Sequence, residues 1–165
     1  MGGLGVGVPG LLRMLELAHK EHGRLPWREL FQPAIALARE GFSISERLAG
    51  QIASSKGLRV DPVTRRYFFE RGGDPKKAGT LMINWPLAET LETIAENGAD
   101  AFYRGDIADD IVATISEAKV NPAVMTTSDL GAYKAKKRPP VCAAYRQWLI
   151  CGMGPPSSGG ITTLQ

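Results

Sequence analysis

A chain of 165 residues with 44% apolar and 22% charged residues has the size and composition of one globular domain, and disorder is excluded as the default. Its 19 glycines and 11 prolines stay below the roughly 25–30% share at which low complexity takes over, so they punctuate folded elements. The net charge of +3 is spread along the chain apart from YKAKKR at 133–138, a solvated surface segment with no aromatic-interleaved basic stripe, so nucleic-acid binding is set aside.

No apolar run approaches the ~18 residues that span a bilayer. The opening MGGLGVGVPG has neither the charged nor the apolar region of a signal peptide, which leaves the destination of the parent protein open. Cys142 and Cys151 are too few for a disulfide scaffold or a four-ligand zinc site.

In chain order, the first predicted element is a helix over about 9–22, with Leu11, Leu15 and Ala18 at helical spacing and Gly23 after it. A second, over about 27–40, carries Leu30, Ala34, Leu37 and Ala38, ends at Gly41 and is offset early by Pro33. Ser45 caps a third, with Leu48 and Ile52 inward. Residues 56–80 read as irregular, with GGDPKKAGT at 72–80 a loop. Asn84 then caps WPLAETLETIAENG, whose apolar stripe is Leu87, Leu91, Ile94 and Ala95 and whose stop is Gly98. A short turn at Asp100 leads to a helix capped by Asp106, with Ile107, Ile111 and Ile115 in register, and a short helix follows over Thr127–Tyr133. Only then does the period change, with PPVCAAYR and QWLICGMG reading as two strands that meet at Arg146 and Gln147.

The fold class is therefore α+β and mostly helical, with about 1–138 helical and about 139–165 given to a late β-hairpin and the PPSSGG loop. Two strands are marginal alone, so the sheet they belong to is supplied from elsewhere. If Arg146 and Gln147 form a two-residue turn, partners sum to 293 and Cys142 faces Cys151 at a non-hydrogen-bonded pair; a bridge there would fit an exported parent protein, but cross-strand geometry is often strained and a three-residue turn breaks the register, so two free thiols are the expectation.

Three clusters carry candidate chemistry. His19 and His22 sit one turn apart around Glu21, but HExxH spacing and a third histidine are both missing, so they read as a helix end that favours histidine. Glu89, Glu92 and Glu96 share one helix face and read as its solvated side instead of an acid/base pair. PPSSGG at 155–160 lacks the GK[ST] of a phosphate loop and the G-x-S-x-G of a serine elbow. It reads as a structural turn in which serines bond neighbouring backbone and glycines let the next segment pass closely.

Taken in order, GVPG (7–10), HGRLPW (22–27), QPAIALAREGF (32–42), LAETLETIAENGADAFYRGDIADDI (87–111), SDLGAYKAKKRPPV (128–141), YR (145–146) and GPPSSGG (154–160) resemble the gamma-glutamyltransferase (gamma-glutamyltranspeptidase) family over nearly the whole chain. ENGADAFYRG and PPSSGG are the most specific blocks. The resemblance implies an N-terminal-nucleophile hydrolase with a layered α-β-β-α fold, made as a precursor that cuts itself into a large and a small subunit. It implies a threonine whose own α-amino group serves as base, attacking the gamma-glutamyl bond of glutathione, the acyl group passing to water or an amine. No metal or organic cofactor is implied.

On that pattern the carboxylate-clamping arginine lies before GVPG, and the nucleophile with its oxyanion glycines lies after PPSSGG. No catalytic, cofactor-binding or metal residue is carried over to residues 1–165. Thr162 and Thr163 precede Leu164, where the family's pair precedes histidine, and Ser157 and Ser158 are not the small subunit's substrate-contacting serines.

The expected partners are the remainder of the large subunit and the small catalytic subunit, with a small gamma-glutamyl substrate, no nucleic acid and no membrane span. The implied compartment of the parent protein is periplasmic or secreted. This stretch alone is expected to be inactive and poorly stable. Alternatives are a cephalosporin or glutaryl acylase on the same scaffold, and a non-catalytic helical interaction module.

Overall fold

The computed structural model describes residues 2–165. Helix α1 (Leu11–His22) follows a 3-10 turn at Gly3–Gly5 and ends with His19, Lys20 and His22 in its last turn, cations where the helix dipole favours them. Helix α2 (Trp27–Glu40) runs unbroken through Pro33 and stops at Gly41, whose φ of 91° only glycine adopts cheaply. The chain then makes strand β1 (Phe42–Ser43), helix α3 (Glu46–Ser54) capped by the Ser45 side chain, and helix α4 (Pro62–Phe68). Strand β2 (Leu81–Met82) pairs antiparallel with β1. Helix α5 (Trp85–Asn97), the one-turn α6 (Asp100–Tyr103), α7 (Asp106–Ser116) and α8 (Thr127–Ala132) follow. Strands β3 (Val141–Tyr145) and β4 (Trp148–Gly152) form the hairpin, and α9 (Gly159–Leu164) ends the chain.

Two apolar clusters hold the helical part together. Ile44, Ile52, Phe69 and Met82 close one, joined by Leu48 and Leu58. Ala99, Tyr103, Ala108 and Leu130 close the other, with Val8, Leu12, Ile111 and Tyr133 against them. Between these, α2 packs on α5 through Ile35, Ala38, Ala88, Ile94 and Ala95. Alanine on both sides lets the backbones approach closely enough for Trp27 Nε1 to donate to the Ile94 carbonyl (3.1 Å) and the Asn84 N–H to donate to Ala38 (2.8 Å).

Several sequence expectations are corrected. Residues 56–80 are not simply irregular: Asp61 caps α4 through the Thr64 N–H, with Pro62 in its first turn, an Asp-Pro start signal. The β1–β2 pair was not anticipated. Gly105, at φ 74°, holds the cap position of α7 and Asp106 is its first helical residue. Helix α8 stops at Ala132, and Thr126 caps it in a reciprocal box with Asp129.

The helix faces also differ. Leu11, Leu15 and Ala18 of α1 are exposed, as are Leu30, Ala34 and Leu37 of α2 and Leu87 of α5. The inward residues are Leu12 on α1, Ile35 and Ala38 on α2, and Ala88 on α5. Both α1 and α2 carry a second apolar stripe, and the neighbours present here cover only one. The cap at Ser45, the inward Ile52, the stop at Gly98 (φ 78°) and the buried Ile115 agree with expectation.

The hairpin turns on Arg146 and Gln147, and every observed pair from Val141–Gly152 to Tyr145–Trp148 sums to 293. Arg146 takes a left-handed conformation, φ 54°, which gives the turn a twist that matches the strands. Cys142 and Cys151 face one another with Cα atoms 4.1 Å apart and, against expectation, are bridged, because the two-residue turn keeps the register that brings them together.

Candidate functional site

Two places gather chemistry-bearing groups. The first lies where α1 crosses α6 and α8. Arg13 turns inward from α1, with its guanidinium 4.4 Å from the Tyr103 ring centroid. It donates to Asp100 Oδ1 (2.5 Å) and Glu16 Oε2 (3.3 Å). The Arg13 backbone N–H donates to Tyr103 Oη (3.3 Å), and that hydroxyl donates to the Pro9 carbonyl (2.6 Å). Tyr133 stacks parallel to Tyr103 at 6.2 Å. A cleft of about 310 Å³ opens beside them, lined by Arg13, Glu16, Lys20, Arg104, Tyr133 and Lys134 among others.

The electrostatics follow from this packing. Burial pushes the Tyr103 phenol up, against the hydrogen bond from Arg13. Burial lowers Arg13, but hydrogen bonds and charge from Asp100 and Glu16 outweigh it and hold the guanidinium above its ordinary value. The hydrogen bond from Arg13 holds the Asp100 carboxyl below the usual range, against partial burial. The charges are thus spent on one another, and the cluster clamps α1 to α6. Nothing local in the sequence announces this cluster, because Arg13 lies 87 residues from Asp100 and Tyr103 lies 94 from Pro9.

The second place is the hairpin with the PPSSGG segment. After a cis Pro155–Pro156 bond the chain enters α9, so GGITTL is helical instead of a loop or strand end. Gly160 is buried against β4: a Cβ there would meet the Met153 carbonyl oxygen at 2.2 Å, and one on Gly152 would meet Gly160 Cα at 2.6 Å. The expectation that glycines let the next segment pass closely is met. The serines differ from expectation, since Ser158 stands at the cap position of α9 without its hydroxyl capping. A cleft of about 280 Å³ lies between α9 and β4, lined by Ile150, Cys151, Gly152, Gly160, Thr163 and Leu164 among others.

The threonines and His19 are already engaged, while the Glu89 carboxylate is exposed. Thr162 Oγ1 donates to the Ser158 carbonyl (2.9 Å) and Thr163 Oγ1 to that of Gly159 (2.8 Å), both within α9. His19 Nε2 is 2.8 Å from the Leu25 carbonyl and its ring meets Trp27 edge-on, so it pins the α1–α2 connection. His22 is exposed, 3.6 Å from Glu21. Among the described residues no group of three His, Cys, Asp or Glu side chains is placed to hold a metal ion.

The glutamate row is more than a solvated face. Glu92 meets Arg39 (2.6 Å) and Glu96 meets Arg28 (3.5 Å), tying α5 to α2. The basic segment 133–138 is exposed at all four of its cations, as expected of a solvated segment, and two of them also tie it down. Lys137 pairs with Glu21 and so holds that carboxyl below its usual range, while Arg138 donates to the Pro155 carbonyl (2.7 Å).

Comparison with known proteins places this architecture. The family model described as Gamma-glutamyltranspeptidase matches residues 1–165. The chain belongs to the gamma-glutamyltranspeptidase family. It is 39% identical over 164 residues to the glutathione hydrolase proenzyme of Escherichia coli strain K12, covering 98% of this chain and 28% of that protein. Its fold superposes on the crystal structure of Helicobacter pylori gamma-glutamyltranspeptidase with TM-score 0.89 at 35% identity, covering 96% of this chain and 45% of that one. On the crystal structure of a cephalosporin acylase from Bacillus halodurans the TM-score is 0.81 at 28% identity, covering 93% and 29%.

The chain thus spans about a quarter of the curated relatives it matches. The gamma-glutamyltranspeptidases are N-terminal-nucleophile hydrolases, and the α+β, mostly helical arrangement with a late hairpin is the part of that fold which residues 1–165 represent. No helix among the described residues is long and apolar enough to cross a membrane.

Proposed function

We propose that the protein containing these residues transfers the gamma-glutamyl group of a glutathione-like donor to water or an amine, and that residues 1–165 supply scaffold to a site whose nucleophile lies outside them. The observation that carries the activity is the match over the whole chain to proteins named glutathione hydrolase. The scaffolding role is supported by the engagement of Thr162 and Thr163 with backbone inside α9. A threonine that attacks with its own α-amino group as base needs its hydroxyl free, whereas both of these donate to carbonyls inside a helix. In this reading the partners are the remainder of a large subunit and a small catalytic subunit, and they cover the exposed stripes of α1 and α2. The periplasmic or secreted setting is supported by the Cys142–Cys151 bridge, since such bonds persist in oxidising compartments.

The test is release of the amine from a gamma-glutamyl anilide. The intact gene product is expected to turn over and residues 1–165 alone are not. In the intact product, Thr162→Ala with Thr163→Ala is expected to retain activity; a loss on the order of a millionfold, the scale of nucleophile removal, would overturn the scaffolding role. A second reading, a related acylase, is favoured by the superposition on the cephalosporin acylase. Turnover of a glutaryl amide in preference to the gamma-glutamyl anilide would select it.

A further inference from the structure

We propose that the cleft between α1 and the ends of α6 and α8 is a binding site for a small dianionic oxyanion, such as phosphate. The cleft holds about 310 Å³, and its walls all belong to residues 1–165: Arg13, Glu16 and Lys20 on α1, Arg104 just after α6 and Lys134 just after α8. The balance of charge carries the proposal. Arg13 is paired with Asp100 and Glu16, and Lys20 shares Glu16 at 3.1 Å. Arg104 donates to the Gly131 carbonyl (3.3 Å), and among the described residues neither Arg104 nor Lys134 pairs with a carboxylate. Four cations thus stand against two carboxylates, and the surplus of two lies on Arg104 and Lys134. A guanidinium has five N–H donors and an ammonium three, so an oxyanion of two charges satisfies both groups by charge-assisted hydrogen bonds.

A resident carboxylate already reports the sign of the field. The Asp100 carboxyl is lowered first by the hydrogen bond from Arg13, against partial burial, and further by the charges of Arg13, Arg104 and Lys20. Cations from both walls therefore act on one negative charge at the edge of the cleft.

The opening does not depend on which neighbours cover the apolar stripes. At about 100° per residue, Arg13, Glu16 and Lys20 stand on the side of α1 opposite Leu11, Leu15 and Ala18, so a segment seated on that stripe leaves this side clear. The rim is charged: Lys20, Arg104 and Lys134 are exposed. Burying a cation without a counter-charge is costly, which keeps the rim in water or against an anion. An ion bound there joins α1 to the ends of α6 and α8, and any opening of α8 has to release it.

The test uses the intact gene product, with inorganic phosphate as the probe and sodium chloride at equal ionic strength as the reference. Amide exchange is followed over 130–136. At about ten times the dissociation constant, exchange through openings that release the ion is expected to slow by about tenfold, with exchange in α3 unchanged. Lys134→Gln removes one charge-assisted bond and should weaken phosphate binding by about tenfold or more. Lys136→Gln, an exposed cation outside the cleft, should leave it unchanged. Succinate is the second probe: protection by phosphate alone assigns a phosphate group, and protection by both assigns a site that takes dicarboxylates as well. No protection by either overturns the proposal, as when a carboxylate from elsewhere in the protein fills the cleft. Equal weakening by Lys134→Gln and Lys136→Gln also overturns it, because the response is then diffuse screening and not a site. None of these readouts uses acyl transfer, so they succeed or fail whatever the anilide assay returns.

Discussion

Between Ile44 and Leu130 the chain buries side chains such as Ile52 (1% exposed) and Tyr103 (0%), whereas across the hairpin from Val141 to Gly152 nothing is buried and Leu149 stands 70% exposed. Both stretches are rich in apolar residues. The difference is in what faces them. Helices α2 and α5, or α3 with β2, present complementary faces to each other within this stretch of sequence. The strands have apolar side chains on both faces and only α9 to lean on. Apolar composition records that a surface will be covered, and the structure shows which of those coverings come from within residues 1–165. The chain spans about a quarter of its curated relatives, and under the proposed function the remaining apolar faces meet the rest of the large subunit and the small subunit.

The contrast is sharpest in substitutions to alanine. Ile52→Ala removes a fully enclosed side chain from the cluster of Ile44, Phe69 and Met82 and should cost about 2–5 kcal/mol of unfolding free energy in denaturant titration. Leu149→Ala should change the stability of residues 1–165 by no more than about 0.5 kcal/mol. In the intact gene product the same change should cost several times more, because the missing neighbours then cover it. Equal effects of Leu149→Ala in both settings would break the comparison.

Gly160→Ala probes the one close seat in the exposed region. The added Cβ would meet the Met153 carbonyl oxygen at 2.2 Å, a backbone atom that cannot rotate away. A cost of about 1–3 kcal/mol to the docking of α9 is expected, read as faster proteolysis after Gly152. Gly50→Ala is the control, since a Cβ there meets nothing within 4 Å and helix propensity favours alanine.

Much of this arrangement was legible in the sequence where the determinant is local. Ser45 and Asn84 announce helix starts because a short polar side chain reaches the N–H three residues on. The hairpin register follows from a two-residue turn, and with it the facing of Cys142 and Cys151. Helix faces were not legible in the same way. On α1 and α2 two stripes compete, and the choice between them depends on neighbours distant in sequence. The β1–β2 pair has two residues per strand, too short for alternation to register, and it exists because Ile44 and Met82 are drawn into one cluster. The Arg13 clamp was hidden for the same reason. In PPSSGG the glycines signal close passage, but the helix that follows has no local signal, since GGITTL opens with two poor helix formers.

Helix caps extend the comparison to smaller effects. Thr126 accepts from the Asp129 N–H while the Asp129 carboxylate accepts from the Thr126 N–H and hydroxyl, and this box orients Leu130, which is fully buried. Thr126→Ala should therefore cost about 1 kcal/mol. Ser158 sits at the corresponding position of α9 without capping it, and Ser158→Ala should fall within about 0.5 kcal/mol of the parent. A measured cost for Ser158 equal to that of Thr126 would mean that the exposed region is held by local bonds after all.

The smallest expected effect is the acid response of the α1–α6 clamp. Asp100 has its pKa lowered in the folded protein, chiefly by the hydrogen bond from Arg13 and in part by the charges of Arg13, Arg104 and Lys20. A carboxyl depressed on folding binds fewer protons folded than unfolded, so its contribution is complete above the unfolded value near 3.8 and is lost as the pH falls through the lower folded value. Asp129 is depressed in the same direction by its bonds from Thr126 and adds to the same window. The Asp100 side chain is 69% exposed, which limits its pair with Arg13 to about 0.2–1 kcal/mol. Unfolding free energy measured between pH 6 and pH 3 should therefore fall less steeply in Asp100→Asn than in the parent, and the two curves should converge at the acid end. The hairpin offers a control within the same molecule: its strands carry no carboxylate, so amide exchange over 141–152, corrected for the chemical effect of pH, should not respond. A hairpin that loosens with acid as much as α6 does would show that the two regions share one cooperative unit, and the division drawn between them would have to be abandoned.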